Sequence, residues 1–200
     1  MKDLKRSAWT LNWILTAALC LLVLRGVSAV TVHCVMLYRL FTDPTSLSGK
    51  MGLTIDWLTM DAANGFGIDL DAAVPMKLVQ LISAIAITVI SCQCVRSLKR
   101  ILLPIEVGQP FRKGICADIR RLSWHCFHLG WVENLSMLFS VILIENHYGL
   151  EELLVTGPIT AVSIDPEFQP AWFFVTAVLS ILAMVFRRGE ELQTLSDETL

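Results

Sequence analysis

The chain reads as an all-α membrane protein, a bundle of four transmembrane helices with both termini in the cytoplasm. Three observations carry that reading. Of its 200 residues, 54% are hydrophobic and 17% charged, against about 25% charged in a soluble domain. Charge is nearly absent from four long stretches and concentrated between them, the pattern of a chain solvated largely by lipid. The basic residues gather in alternate connections, as orientation in a bilayer requires.

The first stretch covers residues 12–36 and opens with WILTAALCLLVL. A helix rises about 1.5 Å per residue and needs about 20 residues to cross ~30 Å of hydrocarbon, so it suffices despite Arg25. A cleaved signal peptide is the alternative, with Lys2, Lys5 and Arg6 as its basic region and Val27-Ser28-Ala29 as the cleavage site. Arg25 just before that site and apolar sequence continuing to Tyr38 favour retention. The second stretch is 77–95. The third is 122–144, whose apolar run is interrupted by Glu133 and Asn134. The fourth, 170–186, is free of charge and opens on Trp172, Phe173 and Phe174, aromatics of the kind found at membrane interfaces. With no linker, repeat or low-complexity tract, residues 1–200 read as one integral membrane domain.

Twelve of the sixteen Lys and Arg residues lie in the N-terminus, the inner connection 96–121 and the C-terminal tail. Acidic residues crowd the other side, with Asp43, Asp56, Asp61, Asp69, Asp71, Glu151, Glu152, Asp165 and Glu167 in the outer connections 42–73 and 147–169. Basic connections stay in the cytoplasm, which sets both termini inside. In the outer connections, Met51, Leu53, Ile55 and Trp57 alternate with other residues, and PITAVSI alternates likewise. Such runs fit short strands whose pairing would make a small extracytoplasmic β cap; irregular loops lying on the bilayer surface are the alternative.

The inner connection holds Pro104, Gly108 and Pro110, expected to break the helix after the second stretch. From Phe111 the pattern turns helical, with Ile115, Ile119, Leu122 and Cys126 on one stripe and Arg112, Lys113, Arg120 and Arg121 around it. This is an amphipathic lead-in that rests its basic side near anionic headgroups or, alternatively, docks a protein. The acidic tail, with Glu190, Glu191, Asp197 and Glu198, is either solvated or a docking peptide.

Ionisable groups at membrane depth are costly and mark candidate sites. Arg25 lies about 20 Å into the first segment and Glu133 about 15 Å into the third, and both segments start inside. An intramembrane charge pair is therefore expected, either fixing helix packing or gating a proton or ligand path. Gln80, Gln93 and Asn134 are the polar side chains that would line such a path. His125 and His128, three residues apart, are weak candidates for a metal or haem. Beside Trp124 and Trp131 they fit an aromatic belt better. Cys92 and Cys94 splay by about 200° on a helix. The six cysteines, mostly in or beside apolar segments, read as membrane core filler rather than a disulfide framework. There is no G-x-S-x-G, Walker loop, dinucleotide fingerprint or H-E-x-x-H, so an enzyme is not expected and no cofactor is implied. A net charge of −2 gives no ground for direct nucleic-acid binding.

Gly108-Gln109-Pro110-Phe111, then Asp118-Ile119-Arg120-Arg121-Leu122, form one motif. Val185-Phe186-Arg187-Arg188-Gly189-Glu190-Glu191-Leu192-Gln193, running to Asp197-Glu198-Thr199-Leu200, form another. With the four-segment layout across the whole chain, these resemble the bacterial family known as domain of unknown function 2975. Ile115 departs from that pattern, where such proteins often carry Asn. The resemblance implies a small inner-membrane protein that partners a short helix-turn-helix regulator. The surface for it would be 104–122 with the tail. A regulatory or sensory protein is thus the leading expectation. A small transporter or immunity-type protein, oligomeric because four helices leave little room for a pore, is the second. A metal or haem carrier is the third.

Overall fold

The computed structural model describes residues 2–42, 53–55, 58–62, 70–107, 114–148, 159–164 and 168–198. Four helices dominate: α1 (Lys2–Thr42), α2 (Leu70–Val107), α3 (Ile115–Tyr148) and α4 (Ala171–Glu198). Each contains a segment long and apolar enough to cross a membrane: Trp9–Thr42, Val74–Ile105, Ile115–Leu143 and Ala171–Leu192. Every helix continues past the C-terminal end of its expected apolar stretch, because polar residues at a membrane boundary end the hydrocarbon-compatible run without ending the hydrogen-bond ladder. Three short strands, β1 (Leu53–Ile55), β2 (Leu58–Ala62) and β3 (Ile159–Ile164), pair antiparallel in the order β1-β2-β3. Leu53 faces Met60 in the first pairing; Leu58 faces Ile164 in the second, which shifts register between Asp61 and Ala62.

The helix ends differ from expectation in two places. Pro104 does not stop α2; it sits buried inside a helix that continues to Val107. A proline forfeits one hydrogen bond to the residue four before it, here at Arg100, and so close to the helix end little ladder remains to be lost. The helical pattern expected from Phe111 begins at Ile115, directly after Gly114, whose φ of 102° lies in the left-handed region open to glycine. Arg112, Lys113, Gly108 and Pro110 fall outside the described residues. Glu133 and Asn134 interrupt the hydropathy of α3 but not its helix.

The chain forms two compact units. The first comprises Met1–Gly26, Ala86–Trp131 and Pro170–Leu200. In it, α1 and α2 run antiparallel, since Lys99 Nζ donates to Thr16 Oγ1 at 2.8 Å while Gly26 lies against Thr88. The α3–α4 pair is antiparallel as well, with Cys116 beside Glu190 and Gly130 beside Trp172. Its core gathers Ile115, Ile119 and Ala183, flanked by Ile101, Leu179 and Phe186. The second unit comprises Val27–Ile85 and Val132–Gln169 and holds the sheet.

Little of the apolar surface is buried within the chain: none of the most apolar window of α2 is. Leu24, Val27, Ile82, Val89, Phe174, Val178 and Ile181 are all exposed. Apolar exposure on this scale is foreign to a water-soluble monomer and matches lipid contact on a multi-pass membrane protein.

Candidate functional site

The antiparallel packing of the first unit brings the end of α2, the start of α3 and the end of α4 to one place. Gly114 turns the chain into α3, and the first backbone bond of the helix follows, Asp118 N–H to the Gly114 carbonyl at 3.1 Å. The amide of Cys116 has no partner within the helix, as is general for a first turn. It donates instead to Glu190 Oε1, 3.0 Å away on α4. A carboxylate there also meets the positive end of the α3 dipole. The Cys116 thiol donates to the Ala183 carbonyl at 3.2 Å, one more tie between the same helices. Glu190 is half-buried and engaged in this bond.

Around this joint several exposed side chains are basic. Arg120 and Arg121 on α3, Arg187 and Arg188 on α4, and Arg96 and Arg100 on α2 are exposed. Arg121 lies 3.9 Å from Asp118, and Arg187 is 3.1 Å from Glu191, both as neighbours on one helix in solvent, where such pairs contribute only a few tenths of a kcal/mol. They leave Arg120 and Arg188 for other contacts. Asp197 and Glu198 lie in the last turn of α4, and their side chains fall outside the described residues.

Further into the apolar segments, α3 and α4 are joined by hydroxyls. Ser123, 3% exposed, donates to the Thr176 carbonyl at 3.0 Å and lies 2.9 Å from Ser180 Oγ. A hydroxyl in hydrocarbon has no water to turn to, so it seeks a neighbouring helix. At Gly130 a β-carbon would come within 2.9 Å of Trp172 Cβ, so glycine is what lets the helices close there. Next to it, Phe127, Trp131 and Phe173 form edge-to-face pairs with centroids about 6 Å apart. His128 stacks on Trp124 at 5.9 Å and is exposed; His125 is half-buried. Among the described residues, no three His, Cys, Asp or Glu side chains come together as a metal site.

The expected polar lining falls into separate local roles. Asn134 clasps the backbone of Gln169, accepting its N–H at 3.1 Å and donating to its carbonyl at 3.4 Å. Gln80 accepts from Lys77 Nζ at 3.0 Å on its own helix. Gln93 is exposed on α2. Arg25 belongs to the first unit and is exposed on α1; Glu133 belongs to the second, is half-buried and has a polar or electrostatic contact of its own. Arg25 makes no hydrogen bond or ion pair with a described residue. An arginine at the centre of a membrane helix costs roughly 2.5–3.5 kcal/mol on insertion scales.

Sequence reasoning missed Cys116, Ser123, Thr176, Ser180 and the Lys99–Thr16 bond. The available signal was small hydroxyl residues recurring in apolar helices, four apart at Thr176 and Ser180. No family model, curated protein or solved structure matches the chain.

Proposed function

We propose that this chain is a non-enzymatic regulatory or sensory protein of a bacterial cytoplasmic membrane. Its N-terminus, the α2–α3 connection and its C-terminal tail face the cytoplasm, and the sheet lies outside as a small cap. The resemblance of the α2–α3 connection and the tail to the family of domain of unknown function 2975 belongs to the same proposal. A cytoplasmic protein, such as a helix-turn-helix regulator, docks on the joint of α3 and α4.

The observation that carries this reading is the bond from Cys116 N–H to Glu190. It ties the tail-bearing helix to the start of α3, so that Arg120, Arg121, Arg187 and Arg188 ride on one packed support rather than on loose ends. Rigid presentation lowers the ordering cost of binding, which is what distinguishes a docking face from a solvated charge cluster. A pull-down from native membranes in mild detergent tests it. A DNA-binding regulator should be recovered with the intact chain and lost with Arg120→Ala/Arg121→Ala or with the tail deleted, while insertion is unchanged. Recovery at wild-type level by the double variant would refute the docking face.

A transport path through Arg25, Glu133, Gln80, Gln93 and Asn134 draws less support. Asn134 and Gln80 spend their polar groups on Gln169 and Lys77, and Gln93 is exposed.

A further inference from the structure

We infer that the exposed face of α1 around Arg25 docks a transmembrane helix of another protein that carries a carboxylate at the same depth. Helix length fixes the depth of Arg25. The membrane-competent part of α1, Trp9–Thr42, is 34 residues long, or about 51 Å. Arg25 follows Trp9 by 16 residues and precedes Thr42 by 17, so it lies about 24–26 Å from either end. A hydrocarbon layer of ~30 Å placed anywhere within that length includes Arg25. Trp9 and Trp13, paired edge to face at 6.2 Å, mark an interface anchor at the N-terminal side. Counting from Trp13, Arg25 is about 18 Å into the layer and about 12 Å from its far edge.

At that depth the guanidinium is exposed and has no partner among the described residues. Its helix neighbour Gly26 is buried against Thr88, which fixes the rotation of α1 and keeps Arg25 from turning inward. Around it, Leu21, Val23, Leu24 and Val27 are exposed and apolar, a surface that packs against another apolar helix.

The complement must be anionic, because arginine carries its charge throughout and is selective for planar carboxylates. A second copy of this chain does not supply it. The four membrane-competent segments contain only Asp118, Glu133, Glu190 and Glu191 as carboxylates. Asp118 is beside Arg121, Glu190 caps α3, Glu191 is paired with Arg187, and Glu133 is half-buried with its own contact. Two copies meeting through α1 would also set Arg25 against Arg25. The occupant is a different helix, with Asp or Glu near its midpoint.

The full-length chain in phosphatidylcholine vesicles provides the test, its own tryptophans serving as energy donors to dye-labelled model helices. Three guests are compared: Leu-rich helices of about 20 residues with Glu, Gln or Leu at the centre. The Glu helix should associate about tenfold more tightly than the Leu helix. That preference should vanish for Arg25→Leu, survive Arg25→Lys, and vanish for the wild type when the guest's Glu is moved seven residues from its centre. Equal association of the Glu and Leu helices with the wild type would overturn the inference and leave lipid phosphate as the satisfying group. A stronger preference in Glu133→Gln would overturn it as well, because Arg25 would then be held within the chain by Glu133. Should Arg25→Leu fail to insert, the shifted guest and Arg25→Lys still decide. The test is separate from cytoplasmic docking, whose residues none of the three variants changes.

Discussion

At the scale of single residues, the chain depends on where side chains are missing as much as on where they are present. A β-carbon at Gly26 would overlap the side chain of Thr88, and Thr88 has its own bonding to keep. Replacing Gly26 by Leu should therefore separate α1 from α2 and cost about 1–3 kcal/mol, the range for overpacking. The measurement is thermal unfolding in detergent; an unchanged midpoint would mean that the two helices do not approach as described. The separation should also stretch the 2.8 Å bond from Lys99 to Thr16. None of this was legible in the sequence. Gly26 follows Arg25 and precedes Val27 with nothing in its neighbours to distinguish it from a tolerated helical glycine. A close approach involves two residues 62 positions apart, and only the folded chain puts them together.

At the scale of elements, the helices were largely written in hydropathy and their joints were not. The apolar stripe Ile115, Ile119, Leu122 and Cys126 is buried along its whole length, as its spacing required. Bulk apolarity decides that a segment is a membrane helix, and the four helices follow from it. Their boundaries depend on groups that hydropathy does not weigh: the left-handed glycine before α3, the proline accommodated in α2, and the carboxylate that receives the Cys116 amide. Read from sequence, Glu190 was one of several acidic residues in a tail. In the fold it caps a helix that begins 75 positions earlier. Glu190→Ala should lower stability by about 1 kcal/mol, as loss of a cap does. It should also open the end of α4 to limited proteolysis behind Arg187 and Arg188, while Glu191→Ala should do neither. Equal cleavage in both variants would show that the tail is not held through this bond.

On the scale of the whole molecule, the distribution of basic residues makes a prediction about sides. Reporter fusions after the N-terminus and after Leu200 should both be active in the cytoplasm, and reporters within 42–73 or 147–169 should report the opposite compartment. A split result for the two termini would leave an odd number of crossings and contradict four spans. The candidate site was partly legible at this scale. Charge asymmetry pointed to the α2–α3 connection and the tail, and Arg25 stood out by being charged within an apolar run. What charge counting could not supply was the sense in which each side chain faces, because facing is set by the contact of a neighbouring residue, Gly26 for Arg25 and Cys116 for Glu190.

Helix α4 is continuous from Ala171 to Glu198, 28 residues that include its membrane-competent part without a break before the tail. About 42 Å of uninterrupted helix has no swivel. A dye attached near residue 195 would consequently tumble with the protein and its detergent shell, and its fluorescence anisotropy should approach that of the whole particle. A dye on a hinged tail would depolarise within nanoseconds, so one steady-state reading separates a stiff shaft from a tether.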